Sequence, residues 1–194
     1  MSTSIVERAK NIIFKPASEW SVIAKEPATI GELFRGFALP LTFVSFVPTV
    51  SAIAAHAAGI AVPFYEYEGM GLGVTIALTF VSFIISLTLL YFMIHTVRSI
   101  SPRFHGTSDE VQVAKLVIYA ATPAWAATWL ALIPIVGELL SAVAYAYVIY
   151  VIYLGLRTVL GVPQDKLVVF TLVVVVVYFL LLMLIAGTVA MLIV

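Results

Sequence analysis

Five long apolar segments, each close to the length of a membrane-spanning helix, alternate with short polar segments along the chain. About twenty residues of apolar helix cross roughly 30 Å of hydrocarbon. This pattern predicts an all-α membrane protein with five transmembrane helices, preceded by a cytoplasmic amphipathic helix. The predicted spans are 34–58, 72–96, 111–133, 139–160 and 167–194.

Residues 1–33 are predicted to form a cytoplasmic interfacial segment ahead of a membrane domain, 34–194. Its apolar residues recur at helical spacing, which is typical of a helix lying in the membrane surface; they are Ile5, Ala9, Ile12 and Ile13. Pro16 is expected to end this helix, and a second short helix is expected near Ala17, with Trp20 at head-group depth. We interpret the segment as a surface anchor.

Short polar motifs predict where two spans begin. Thr29 with Glu32, and Thr107 with Glu110, have the spacing of capping boxes, in which a hydroxyl and a carboxylate bind free amide hydrogens. The third and fourth spans are joined by only Pro134 to Glu138, so we expect a tight antiparallel pair of helices.

Composition agrees with a lipid environment and excludes several function classes. The chain is 63% hydrophobic and 10% charged, which gives more apolar surface than one soluble core could bury. Its net charge of zero argues against a nucleic-acid partner. It contains no cysteine, so no disulfide, cysteine-ligated metal or cysteine nucleophile is available. We expect no cofactor.

The positions of the basic residues predict the orientation. Two connections, 59–71 and 133–138, carry no Lys or Arg and three Glu, namely Glu66, Glu68 and Glu138. All ten Lys and Arg fall in three clusters elsewhere: Arg8, Lys10, Lys15, Lys25 and Arg35; Arg98, Arg103 and Lys115; Arg157 and Lys166. Because basic loops stay in the cytoplasm, we expect the N-terminus inside and the C-terminus outside, with Lys115 and Arg157 snorkelling from span ends.

Small and hydroxyl-bearing residues form stripes on two spans. One stripe is Thr75, Thr79, Ser82 and Ser86, and the other is Ala120, Ala124, Ala127 and Ala131. Such stripes are typical of helix contacts, within one chain or in a homo-oligomer. The hydroxyl stripe, with the first span interrupted by Pro40 and Pro48, alternatively predicts a path for a small solute.

Residues able to support catalysis are sparse. His56 and His95 lie at opposite ends of different spans, so we interpret both as interface histidines without a metal. Glu138 is expected at a helix N-terminus or in the outer connection. No set of nucleophile and base, paired acids or metal ligands is present, and Ser51 and Ser86 are interpreted as structural. We therefore predict no enzymatic activity.

The fourth span ends in a cluster of aromatic, glycine and charged residues. Tyr150, Tyr153 and Arg157 are spaced by three and four, so they share one helix face at the cytoplasmic interface, and Gly155 permits close helix approach. Together with Gly161-Val-Pro163 and Lys166, and with Pro16-Ala-Ser-Glu19-Trp20, this pattern resembles the Yip domain family, the Ypt/Rab-interacting integral membrane proteins.

The resemblance covers nearly the whole chain and implies five spans with a cytoplasmic N-terminus. For eukaryotic members it implies binding of prenylated small GTPases and a role in vesicle traffic. The cytoplasmic arm here is short, so the resemblance favours a bacterial or archaeal member in the cytoplasmic membrane.

The resulting hypothesis is a non-enzymatic membrane protein that organises lipid or protein partners at its cytoplasmic face. A small-solute channel or transporter is the alternative. The predicted partner-binding or lipid-binding residues are Glu19, Trp20, Tyr150, Tyr153, Gly155, Arg157, Asp165 and Lys166.

Overall fold

In a computed structural model the chain is helical, with no strand in the residues described. The structure describes residues 4–60, 72–130, 132–133 and 136–193, and of residues 186 and 188–193 it describes the backbone alone. The predicted acidic residues Glu66 and Glu68, and the predicted helix-contact residue Ala131, lie outside the described residues.

Nine α-helices follow one another along the described chain. They are α1 (Ile5–Phe14), α2 (Pro16–Ile23), α3 (Ile30–Leu33), α4 (Leu39–Ala57), α5 (Leu72–Ile100), α6 (Glu110–Ala120), α7 (Thr122–Leu130), α8 (Gly137–Thr158) and α9 (Gln164–Ile193). A π-helical turn, Phe34–Ala38, joins α3 to α4, and a 3₁₀ turn, Ser101–Phe104, extends α5.

Four helices in the described residues are long and apolar enough to cross a membrane, judged by length and composition. They are Ile30–Ala57, Leu72–Phe104, Gly137–Thr158 and Gln164–Ile185. They correspond to the first, second, fourth and fifth predicted spans. The third predicted span, 111–133, is not a single long helix, because it divides into α6 and α7.

Pro123 explains the division between α6 and α7. Proline has no amide hydrogen, so it cannot donate to the carbonyl four residues earlier, which belongs to Tyr119. The Thr122 hydroxyl donates to that carbonyl instead, at 2.7 Å. A hydroxyl that replaces the lost donor is one way a broken helix is tolerated where water is absent.

One of the two predicted capping boxes is confirmed. The Glu32 amide donates to the Thr29 hydroxyl at 3.2 Å, and the Thr29 amide donates to the Glu32 carboxylate at 2.8 Å. The box predicted at Thr107 and Glu110 is wrong. Since α6 begins at Glu110, the N-cap is Asp109, whose carboxylate accepts from the Gln112 amide at 2.8 Å. The Thr107 hydroxyl accepts from the Asp109 amide at 3.1 Å.

The N-terminal segment folds as two consecutive helices, α1 and α2, that contact each other and that we name the hairpin (Ile5–Ile23). As predicted, the first helix ends just before Pro16. Pro16 is itself the first residue of α2. The hairpin packs against α6, α7 and α8 and is therefore not a solitary anchor. The boundary predicted at residue 33 falls inside the continuous helix Ile30–Ala57.

Polar contacts define two ends of the helix bundle. Arg98 pairs with Glu110 at 3.1 Å, and the Thr107 amide donates to the Leu160 carbonyl at 2.9 Å. The C-termini of α5 and α8 and the N-terminus of α6 therefore lie together, at what we name the basic end, which carries Arg98, Arg103, Arg157 and Lys166. Glu138, in the first turn of α8, marks the opposite acidic end.

The most deeply buried side chains belong to the hairpin, α5, α6, α8 and α9 and lie toward the basic end. They include Ile12, Trp20, Val97, Leu116, Leu156 and Phe170. Phe170 stacks on Phe104 with ring centroids 4.4 Å apart, which holds α9 against the turn after α5. Toward the acidic end the long helices expose apolar side chains, as expected for surfaces that contact lipid.

Candidate functional site at the basic end

A buried ionic cluster attaches the hairpin to the segment that follows it. Arg8, on α1, is 5% exposed, and its guanidinium bonds both the Glu19 carboxylate, on α2, and the Glu26 carboxylate, 2.6 Å away at Oε1. Glu19 is 7% exposed. One arginine thus binds two carboxylates through separate nitrogens, an arrangement that its planar fork of donors permits.

The charge of Arg8 is stabilised within this cluster. Burial of the guanidinium lowers its pKa, but the hydrogen bond and charge of Glu26, with the charge of Glu19, outweigh burial, and the pKa is raised above its ordinary value. A raised pKa means that these ion pairs stabilise the folded state, a contribution that is lost as pH rises through the folded-state pKa of Arg8. The guanidinium also lies 5.8 Å from the centre of the Tyr119 ring.

Two side chains of α6 bind the backbone just after α2. The Lys115 ammonium donates to the Glu26 carbonyl at 2.6 Å, and the Gln112 amide donates to the Ala24 carbonyl at 3.2 Å. Both acceptors lie where a helix ends and carbonyl groups lack partners. Lys115 is 2% exposed, so the prediction that it snorkels to the membrane surface is wrong. Its charge is bound inside the protein.

Aromatic side chains bind the hairpin to α8. The Trp20 indole donates to the Val151 carbonyl at 3.1 Å, and the Tyr147 hydroxyl donates to the Ile13 carbonyl at 2.8 Å. Trp20 is 1% exposed, so it lies in the core and is not a residue at a lipid surface. It packs against Gly155, where an added Cβ would lie only 2.9 Å from the indole and 2.4 Å from Leu116.

The predicted site residues separate into two groups. Glu19, Trp20 and Gly155 are buried within the protein, and Trp20 is in direct contact with Gly155. Tyr150, Arg157 and Asp165 are exposed, and Tyr153 and Lys166 are half-buried. The Tyr153 hydroxyl accepts from the Gln164 amide at 2.9 Å, which ties α8 to the start of α9. Lipid or partner binding by these residues stays a prediction.

The hydroxyl stripe of α5 is only partly buried. Thr75 is buried, and the Thr79 hydroxyl donates to the Thr75 carbonyl at 2.9 Å, one turn earlier in the same helix. Ser82 is exposed, and Ser86 is half-buried. The stripe therefore does not form one continuous buried seam, and the solute path stays a prediction.

No group of three or more His, Asp or Glu able to hold a metal ion occurs in the part of the chain that the structure describes. His56 is exposed near the end of α4, and His95, on α5, lies 4.4 Å from the Tyr91 ring. Glu138 lies in the first turn of α8 and is exposed, as predicted for a carboxylate at a helix N-terminus.

Sequence reasoning missed most residues that hold the hairpin. They are Arg8, Glu26, Gln112, Lys115, Tyr119 and Tyr147. One signal was available, since a lysine inside an apolar segment usually has a partner within the protein. Lys115 lies inside the third predicted span, although its partner, a backbone carbonyl, has no signature in the sequence.

Comparison with curated proteins and with solved structures found no match. One family model matches, that of the Yip1 domain, over residues 10–186. The match runs from the middle of α1 through most of α9, so it includes both the hairpin and the long apolar helices. The chain therefore belongs to the Yip1 domain family, as its tyrosine and glycine motif on α8 predicted.

Proposed function

We propose that this protein, an integral membrane protein of the Yip family, is non-enzymatic and organises anionic lipid or protein partners at its cytoplasmic face. The observation that carries the proposal is the division of the hairpin into two surfaces. Its inner surface holds the ionic cluster and the Trp20 contact. Its outer surface exposes Lys10 and Lys15, with Val6 and Phe14 at 77% and 73% exposure.

A surface of apolar and basic side chains suits the boundary between acyl chains and anionic head groups. Lys25, just after α2, is also exposed and adds a third cation. Glu7 is an exposed carboxylate on α1 that opposes them, so two positive charges remain on this surface. The buried contacts hold the hairpin in place, and its outer side chains are therefore presented to the membrane without an ordering cost on binding.

We expect the protein to bind anionic lipid less tightly when these three lysines are replaced by neutral residues. Each lysine near an anionic surface contributes about 1 kcal/mol, so Lys10→Gln, Lys15→Gln and Lys25→Gln together are expected to weaken phosphatidylglycerol binding by roughly a hundredfold. Native mass spectrometry of protein titrated with phosphatidylglycerol in mixed micelles measures this. The matched control replaces the same lysines by arginine and should bind as the wild type does.

Unchanged phosphatidylglycerol binding by the glutamine variant would refute the hairpin as the lipid site. Arg157→Ala and Lys166→Ala, in the same titration, test two basic residues of the basic end outside the hairpin. Phosphatidylcholine, which carries no net charge, provides the lipid control for each variant.

We further propose a five-span topology with the N-terminus in the cytoplasm of a bacterium or archaeon. The divided helix supplies the fifth crossing. Thr107, just before α6, bonds the carbonyl of Leu160 after the end of α8, whereas Ala127, in α7, accepts from the Ser141 hydroxyl near the start of α8, at 3.1 Å. Residues 107–127 thus run antiparallel to α8 and past most of its length. If α8 crosses the membrane, α6 and α7 together cross it too.

The absence of native cysteine makes this topology directly testable. A membrane-impermeant maleimide applied to intact cells is expected to label Val136→Cys, which is exposed before α8. It should label Gln164→Cys, exposed at the start of α9, only after the cells are permeabilised. A four-span chain with a cytoplasmic N-terminus would give the opposite pattern, because α8 and α9 would reverse direction.

A further inference from the structure

We propose that a groove near the acidic end binds a protonated amine with an apolar body. The groove has a volume of about 470 Å³ and lies between α4, α7 and α8. Its lining residues are Thr49, Ala127, Thr128, Glu138, Ser141, Ala142 and Tyr145. No residue of the hairpin lines the groove, and the proposal does not depend on lipid binding there.

One face of α8 supplies most of the chemistry of the groove. Glu138, Ser141, Ala142 and Tyr145 follow the helical spacing of three, four and seven, so their side chains emerge on the same side. Facing them on α7 is Ala127, whose carbonyl accepts from the Ser141 hydroxyl at 3.1 Å. The small side chain of Ala142 is exposed beside them.

Two of the four hydroxyl groups that line the groove, those of Ser141 and Thr128, are oriented as acceptors. The Ser141 hydroxyl already donates to the Ala127 carbonyl, and the Thr128 hydroxyl donates to the Trp125 carbonyl at 2.8 Å. A hydroxyl has one hydrogen and two lone pairs, so both oxygens can still accept but cannot donate again. With the Glu138 carboxylate they form a set of acceptors. The complementary ligand carries several N–H donors, as an ammonium group does.

Charge at this end also favours a cation. Glu138 is exposed, and in the part of the chain that the structure describes it forms no ion pair. The described residues that line the groove include no Lys or Arg. An anionic ligand, or a lipid whose amine is accompanied by a phosphate, would therefore lack a basic partner among them.

The remaining lining favours an apolar body next to the charge. Tyr145 is 52% exposed, so its ring is available to a ligand, and the exposed Ala142 provides adjacent apolar surface. An ammonium over a tyrosine face gains a cation–π attraction. An aryl-alkyl amine combines the charge, the donors and the apolar group, so the proposed ligand belongs to this class.

The test is isothermal titration of 2-phenylethylamine into the purified protein in phosphatidylcholine nanodiscs. Glu138→Gln is expected to weaken binding about tenfold or more, because it removes a charge-assisted hydrogen bond. Glu7→Gln removes an equally exposed carboxylate from α1 and should leave the affinity unchanged. Tyr145→Phe keeps the ring and most of the affinity, whereas Tyr145→Leu should lose several-fold.

The neutral analogue 2-phenylethanol separates amine recognition from general apolar binding. If it binds as tightly as the amine, the groove is only an apolar surface, and the proposal is wrong. Equal weakening by Glu138→Gln and Glu7→Gln would refute it as well, since the effect would then come from overall charge. So would the absence of measurable amine binding to the wild type at millimolar concentration.

Discussion

Replacing Arg8 by methionine is expected to lower the free energy of unfolding by about 3–5 kcal/mol, the range for a buried ion pair that loses one partner. The guanidinium bonds two carboxylates, and the side chains of Arg8 and Glu19 are only 6% and 9% exposed. Without Arg8, the Glu19 carboxylate stays buried without its countercharge. Thermal unfolding in detergent, followed by circular dichroism, should show a fall in Tm on the order of 10 °C.

The chain contains a matched exposed pair that serves as the control. Arg98 and Glu110 lie 3.1 Å apart, but their side chains are 43% and 38% exposed. Solvent screens such a pair, so Arg98→Met is expected to cost about 1 kcal/mol or less. If Arg8→Met costs no more than Arg98→Met, the buried cluster does not stabilise the fold. The double variant Arg8→Met with Glu19→Met should recover much of the loss, because no unpaired charge remains in the interior.

The same variants can also be tested by measuring how often the hairpin detaches from the helices against which it packs. Ile12→Cys places a thiol at a position that is 1% exposed, in a chain without native cysteine. Its labelling rate reports how often the hairpin opens. Arg8→Met should raise that rate strongly, whereas Arg98→Met, which removes bonds to Ser108 and Glu110 and none to the hairpin, should not.

Helix type and approximate boundaries could be predicted from the sequence because lipid imposes a strong local rule. A segment that crosses hydrocarbon must be apolar over about twenty residues, and such segments are visible without any partner. The Thr29 capping box is similarly local, since both partners lie within one turn. The division at Pro123 was missed because the length of the apolar segment was given more weight than the helix-breaking effect of the proline.

The attachment of the hairpin could not be predicted, because its partners are distant in sequence. The apolar face of α1 has the same pattern whether it contacts lipid or protein. Ile12 is buried against protein, and its neighbour Ile13 binds Tyr147 through a carbonyl, a group every residue possesses. Trp20 was assigned to the head-group region for the same reason, since tryptophan is common at membrane interfaces and also in cores.

Gly155, by contrast, was predicted as a position where helices approach each other closely, and the structure identifies the neighbouring side chains. A Cβ on Gly155 would lie 2.4 Å from Leu116 Cδ1 and 2.9 Å from Trp20 Cζ2. Neither neighbour has free space, since both side chains are 1% exposed and the indole is held by its bond to Val151. The contact therefore joins α2, α6 and α8 at one point.

Gly155→Ala is expected to lower the free energy of unfolding by about 1–3 kcal/mol, because overpacking costs more than the helix propensity gained. Thermal unfolding in detergent measures the loss. Gly187→Ala, in α9, is the control, since a Cβ there meets no other part of the described structure within 4 Å, and it should leave stability unchanged or slightly raised. Leu116→Val removes the methyl group nearest the new Cβ, so in the Gly155→Ala background it should cost less than it does alone. Equal costs in the two backgrounds would mean that Leu116 is not the neighbour that limits position 155.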